Sequence, residues 1–173
     1  MVDDASLPEQ DPRPDEDAWE AYLNFVRPLM EASDATGLEN VQLAALEQVI
    51  GGSVPFEVGL LLVMGVPDTF PWRNWQVDAA SQLAEWNRQV SQTLKLDSDE
   101  LSQAPQLLPI YANVAVPIGP VTDASPLFRV DPSGLTFAGL DLADWLHNEF
   151  DMPLPWWPNN QPGDVRFWSD KLS

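Results

Sequence analysis

Apolar positions recur at helical spacing through the first half of the chain, alternate with a period of two after Leu107, and return to helical spacing at Leu142. Trp19, Tyr22, Leu23 and Val26 share one helical face behind Asp17, which is placed to cap it, and Pro28 kinks or ends that helix. Leu38, Gln42, Ala45, Leu46 and Val49 line a second helix, and the Gly51-Gly52 pair supplies the positive φ that closes its C-terminus. A third helix opens at Pro55, carries Phe56, Leu60 and Val63, and stops at Gly65. It is apolar almost all round, which predicts burial. "PDTFPWRNW" is a loop with two aromatic anchors, Trp72 and Trp75. Asp78 to Leu94 then resumes the helical pattern through Ala80, Leu83, Trp86 and Val90.

The stretch "LLPIYANVAVP" reads as one strand. Leu108, Ile110, Ala112, Val114 and Val116 alternate with Pro109, Tyr111, Asn113 and Ala115, and Pro109 points to an edge or a strand start. Leu127–Val130 and Leu135–Ala138 flank "DPSG", whose Asp, Pro and Gly fit a type I turn, so this segment is a hairpin beside the first strand. Pairing and packing account for these stretches, which hold no nucleophile, base or ligand cluster.

"DLADWLHNEF" predicts an amphipathic helix with Leu142, Trp145, Leu146 and Phe150 inward and Asp141, Asp144 and Asn148 outward. Glu149 breaks the pattern by projecting into the apolar arc between Trp145 and Leu146, where an unpaired carboxylate costs several kcal/mol. Either Arg129 or Arg73 pairs with it, or it lies at a frayed last turn and reaches water. Trp156, Trp157 and Trp168, set among Pro and Gly, are expected to lace the C-terminal loop onto the core rather than to form an exposed binding surface.

Charge changes the picture most. The 173 residues hold 27 acids against eight Lys or Arg, a formal net charge of -19. Residues 1–17 carry seven acids and Arg13, a net of -6, and read as an acidic, flexible arm. Residues 18–173 keep 20 acids and seven bases, a net of -13, and form a single domain. Such a body repels nucleic acid and anionic lipid and attracts cationic partners, although strong acidity also serves solubility or life in high salt. There is no Cys, so disulfides, thiolate metal sites and cysteine nucleophiles are excluded. No leader segment is legible, and the longest apolar run, "GLLLVMGVP", is short of a membrane span; a cytoplasmic protein without membrane contact is expected.

Candidate chemistry is sparse. "DSDE", Asp97 to Glu100, lacks the ligand spacing and central Gly of a calcium loop. His147 is the one histidine, at the edge of an apolar arc with no matching nucleophile or second ligand, and reads as a boundary residue. Asp141 and Asp144 read as solvated surface or a binding patch. No catalytic residue, metal site or cofactor is expected.

The order of features resembles the SUKH superfamily, which includes bacterial immunity proteins and fungal cell-wall assembly regulators. The resemblance rests on Leu43, Leu46 and Glu47, Gly51, Val54-Pro55 with Leu60 and Leu61, and Gly65. Its stronger part is "APQLLPIY", "SPLFRV", "GLDLADWLHNEF" and "VRFWSD", and together these span roughly residues 38 to 170. It departs where the family often has Asn-Gly and this chain has Met64-Gly65. The resemblance implies an α+β domain, helices around a mostly antiparallel sheet, and a non-enzymatic binding protein that neutralises a cognate toxin, frequently a nuclease. A basic toxin suits an acidic partner. A face containing Asp97, Asp99, Glu100, Asp141 and Asp144 is the expected contact. The alternatives are a regulatory or scaffolding module and a hydrolase whose carboxylates meet only on folding.

Overall fold

A computed structural model describes residues 14–32, 34–119, 125–157 and 163–173. The acidic arm lies outside the described residues as far as residue 13. Helix α1 (Glu16–Leu29) begins slightly earlier than Asp17, because the Asp15 carboxylate accepts the Ala18 N–H at 2.9 Å and caps it. Helices α2 (Asn40–Ile50), α3 (Phe56–Met64), α4 (Ala79–Leu94) and α5 (Ser98–Gln103) follow. Gly51 closes α2 in the left-handed conformation, at φ 75°. Strands β1 (Leu107–Tyr111), β2 (Val114–Pro117), β3 (Leu127–Asp131) and β4 (Gly134–Gly139) form an antiparallel meander in that order. Helix α6 (Leu142–Phe150) and a short 3₁₀ turn, Ser169–Lys171, complete an α+β fold.

Leu107 to Pro117 is a hairpin, not the single strand its alternation suggests. Tyr111 pairs with Val114 across a turn at Ala112-Asn113, and a register shift between Pro109 and Tyr111 inserts one extra residue into β1. That insertion puts Leu108 and Ile110 before the turn in phase with Val114 and Val116 after it, so the period of two runs unbroken through the reversal. No turn dipeptide announces it, since Ala112 adopts φ 45°, a value alanine rarely takes. Tertiary contacts hold it there. Ala112 N–H donates to the Pro71 carbonyl at 2.8 Å, Arg73 Nη2 donates to the Ala112 carbonyl at 2.6 Å, and Asn113 Nδ2 donates to the Val130 carbonyl at 2.8 Å.

Both faces of the sheet are buried, against different partners. Leu108, Ile110, Val114, Val116 and Leu127 join a cluster with α1, α2, α3 and α6. Leu107, Ala115, Phe128, Val130 and Leu135 join a second with Trp86, Val90, Val165 and Trp168. The outer edge of β1 is covered by the α3–α4 connector: Trp72 bridges Tyr111, Arg73 N–H reaches the Ile110 carbonyl at 3.1 Å, and Trp75 Nε1 reaches the Pro109 carbonyl at 2.9 Å. Trp157 and Trp168 are core residues, as expected, but Trp156 is 65% exposed, which corrects its assignment to the core.

The step from β4 into α6 leaves no room for a side chain at Gly139. A Cβ there would lie 2.5 Å from the backbone nitrogen of the fully buried Trp145. Gly139→Ala is expected to lower stability by about 1–3 kcal/mol, the usual cost of overpacking, measured by urea unfolding. A loss below about 0.5 kcal/mol would show that the β4–α6 junction is not close-packed.

Candidate binding groove and the buried carboxyl groups

Two connectors that are far apart in sequence face each other across a groove of about 730 Å³. One is the α1–α2 connector, which contributes Glu31 and Asp34; the other is the α3–α4 connector, which contributes Asp68, Trp72, Arg73 and Trp75. Arg27 fixes the first wall by donating from Nε to the Gly65 carbonyl at 2.9 Å and from Nη2 to the Ala32 carbonyl at 3.0 Å. Gln76 Nε2 ties the walls together through the carbonyls of Thr36 and Gly37, at 3.3 and 3.2 Å. The floor is aromatic. Trp72 stacks on Phe150 with ring centres 5.5 Å apart and meets Tyr111 edge-on at 5.0 Å.

Charge in the groove is one-sided. The carboxylates of Glu31, Asp34 and Asp68 are exposed, and against these three acids the lining holds one base, Arg73, for a net of -2. Arg73 is half-buried, its guanidinium held by the Ala112 carbonyl and lying 5.7 Å above the Trp86 ring. Burial lowers its pKa from the ordinary arginine value. Beside the groove, on the α3–α4 connector, Phe70 is 89% exposed and Val77 58% exposed. These are large apolar side chains left in water.

The acids expected to form a partner-binding face have other duties. Asp97 caps α5: its Oδ1 accepts Glu100 N–H at 2.8 Å, while Glu100 Oε2 accepts Asp97 N–H at 3.0 Å. Glu100 Oε1 also meets Lys171 Nζ at 3.3 Å, and Asp99 is exposed. Asp144 is half-buried and accepts Leu140 N–H at 2.8 Å. Asp141 is 2% exposed, which corrects the expectation that it points away from the core. It is the N-cap of α6, and a cap folds back over the first turn to accept Asp144 N–H, here at 2.8 Å, wherever the helical wheel would place it. Helix α5 packs through Leu101 on one side of the sheet and α6 on the other, so the five acids do not make one surface.

Glu149 pairs with Arg129, Nη2 to Oε2 at 2.6 Å, and both side chains keep partial exposure. Arg73 is not its partner: its Nη2 donates to the Ala112 carbonyl. His147 closes the end of α6 through Nδ1 to the Met152 carbonyl at 2.8 Å.

One functional-looking group has no counterpart in the pattern analysis. Glu57, the lone charged residue of α3, is 8% exposed. That isolation within an apolar run was the available signal. Desolvation raises the pKa of Glu57, the N–H groups of its own residue and of Ser125 counteract it, and the charge of Asp141 adds to the rise. Asp141 is likewise raised, first by desolvation and then by the Asp144 charge, against the N–H bonds of Asp144 and Ala143. Burial, then the Asp141 charge, pushes the Tyr22 hydroxyl well above its ordinary range. Neither Glu57 nor Asp141 lines the groove. Comparison with family models, curated proteins and solved structures finds no match to the chain.

Both raised carboxyl groups hold protons more tightly folded than unfolded. Their contribution to stability is complete below the ordinary carboxylate range and is lost as pH rises through their folded values. Glu57→Gln and Asp141→Asn, the second retaining a capping oxygen, are therefore expected to gain stability relative to wild type between about pH 4 and pH 7 in urea unfolding. An unchanged difference across that range would remove the buried-acid assignment. For Arg129 and Glu149, a double-mutant cycle through Arg129→Met and Glu149→Gln is expected to give a coupling of about 0.5–1 kcal/mol, because both partners are still solvated. A coupling near zero would reduce the pair to incidental proximity.

Proposed function

We propose that this chain is a non-enzymatic binding protein that captures a basic protein by charge, and that the partner is a cognate toxin it neutralises by direct contact. The toxin part of the reading comes from the resemblance to SUKH immunity proteins, and the physical part from how the few cations are used. Arg27 and Arg73 donate to main-chain carbonyls, and Arg88, Arg129 and Lys171 each meet one carboxylate, so the bases neutralise few of the 27 acids. Exposed acids such as Glu31, Asp34, Asp68 and Asp99 are left to set the outward field of a chain with a net charge of -19. Such a field steers a cationic protein into contact and raises association rates by orders of magnitude at low salt.

A hydrolase fits less well. Acid–base work needs carboxyl groups of displaced pKa in a place that substrate enters. Here the raised pair, Glu57 and Asp141, is buried and outside the lining of the groove, while the open groove joins aromatic rings to exposed acids.

Co-expression with a candidate toxin domain, such as the C-terminal domain of any large secreted protein encoded beside this chain, tests the reading. The expected result is rescue from toxicity and a complex whose affinity falls at least tenfold between about 0.05 and 0.5 M salt, through slower association. No rescue and no complex would contradict it.

A further inference from the structure

We infer that the groove between the α1–α2 and α3–α4 connectors is the docking site for a segment of the partner that carries an arginine or lysine flanked by apolar residues. The inference rests on the capture of a basic protein proposed above, and it names the place and the chemistry. Three features coincide there. The first is charge: Glu31, Asp34 and Asp68 stand exposed on two walls, and the one base of the lining, Arg73, is occupied by the Ala112 carbonyl. The second is the floor, where the half-buried Tyr111, set edge-on to the buried Trp72, leaves part of its ring for the aliphatic stem of a long cationic side chain. The third lies on the neighbouring connector, where Phe70 and Val77, adjacent in sequence to the lining residues Thr69, Pro71 and Gln76, leave large apolar side chains in water.

The same features argue against other occupants. A phosphate or nucleic acid would meet three carboxylates for one guanidinium, and a purely apolar segment would leave those carboxylates desolvated without compensation. A basic side chain satisfies both halves of the site. Its stem packs against Tyr111 while its charge reaches the exposed carboxylates. The walls are already held in place by the bonds of Arg27 and Gln76, so little ordering is required on docking.

The test titrates the full chain, at low salt, with a blocked Leu-Arg-Val-Arg-Leu peptide and with its twin in which citrulline replaces both arginines. Affinity is read by calorimetry and position by the indole N–H resonances of Trp72 and Trp75. The charged peptide is expected to bind at least tenfold more tightly than its twin and to move both resonances. The triple variant Glu31→Gln, Asp34→Asn, Asp68→Asn is expected to lose at least tenfold. An equal removal of charge elsewhere, Glu20→Gln, Asp164→Asn, Asp170→Asn, is expected to lose less than threefold, and Phe70→Ala at least threefold. Equal losses for the two triple variants, equal binding of the two peptides, or unmoved groove resonances overturns the site. Toxin capture separates the two proposals. A groove variant that still captures the co-expressed domain as tightly as wild type overturns the groove alone, whereas a wild-type chain that binds the charged peptide in the groove yet captures no toxin overturns only the toxin reading.

Discussion

Leu107, Ala115, Phe128, Val130 and Leu135 pack to one side of the sheet, and Leu108, Ile110, Val114 and Val116 to the other, so neither side can face water. Each fully buried leucine or phenylalanine contributes about 1.5–3 kcal/mol, and exposing a whole face would forfeit several of them. Helices are therefore required on both sides. The sheet also leaves β1 as an open edge, and the α3–α4 connector lies along it, bonded through Arg73 and Trp75. The groove follows from that cover. Its outer wall is the strap that protects the edge, and its floor includes Trp72, pressed onto Tyr111 and Phe150 by the same contact.

An acidic chain must place its carboxylates where they do least harm, and many of them serve local backbone geometry. Asp15, Asp97 and Asp141 cap helices, where the free N–H groups and the positive end of the helix dipole favour an acid. The scarce cations are spent differently. Arg27 and Arg73 stitch connectors by binding carbonyls, while Arg88, Arg129 and Lys171 meet acids. Glu57 and Asp141 run against this economy. Two carboxyl groups of raised pKa near each other inside the first cluster destabilise the fold at neutral pH, and the backbone N–H groups they accept from offset only part of that.

Where the fold follows local rules, the sequence announces it. The third helix, the β3–β4 hairpin and α6 all fall where spacing and turn residues place them, and the misfit of Glu149 in an apolar arc leaves Arg129, Arg73 or water open, of which Arg129 is its partner. The rest depends on contacts between distant segments. The reversal at Ala112 is invisible because the register shift in β1 preserves the alternation and because Pro71 and Arg73, far away in sequence, hold the turn. Asp141 looks solvated on a helical wheel, but capping geometry draws it inward. The groove had only a partial trace, in Trp72 and Trp75. Its acids come from two connectors whose facing is a property of the packed molecule.

The central claim is that apolar packing, with local caps and connector hydrogen bonds, holds this fold, so that its exposed negative charge is free to act outward on a partner. Ionic strength separates this from an acidity adapted to high salt. Unfolding free energy in urea, measured from about 10 mM to 1 M sodium chloride, tests it most directly. A protein folded cooperatively at the lowest salt, with stability rising only modestly as self-repulsion is screened, is the predicted result. A chain that unfolds at low salt and requires molar salt to fold would contradict the account, because repulsion among its exposed carboxylates would then govern the fold.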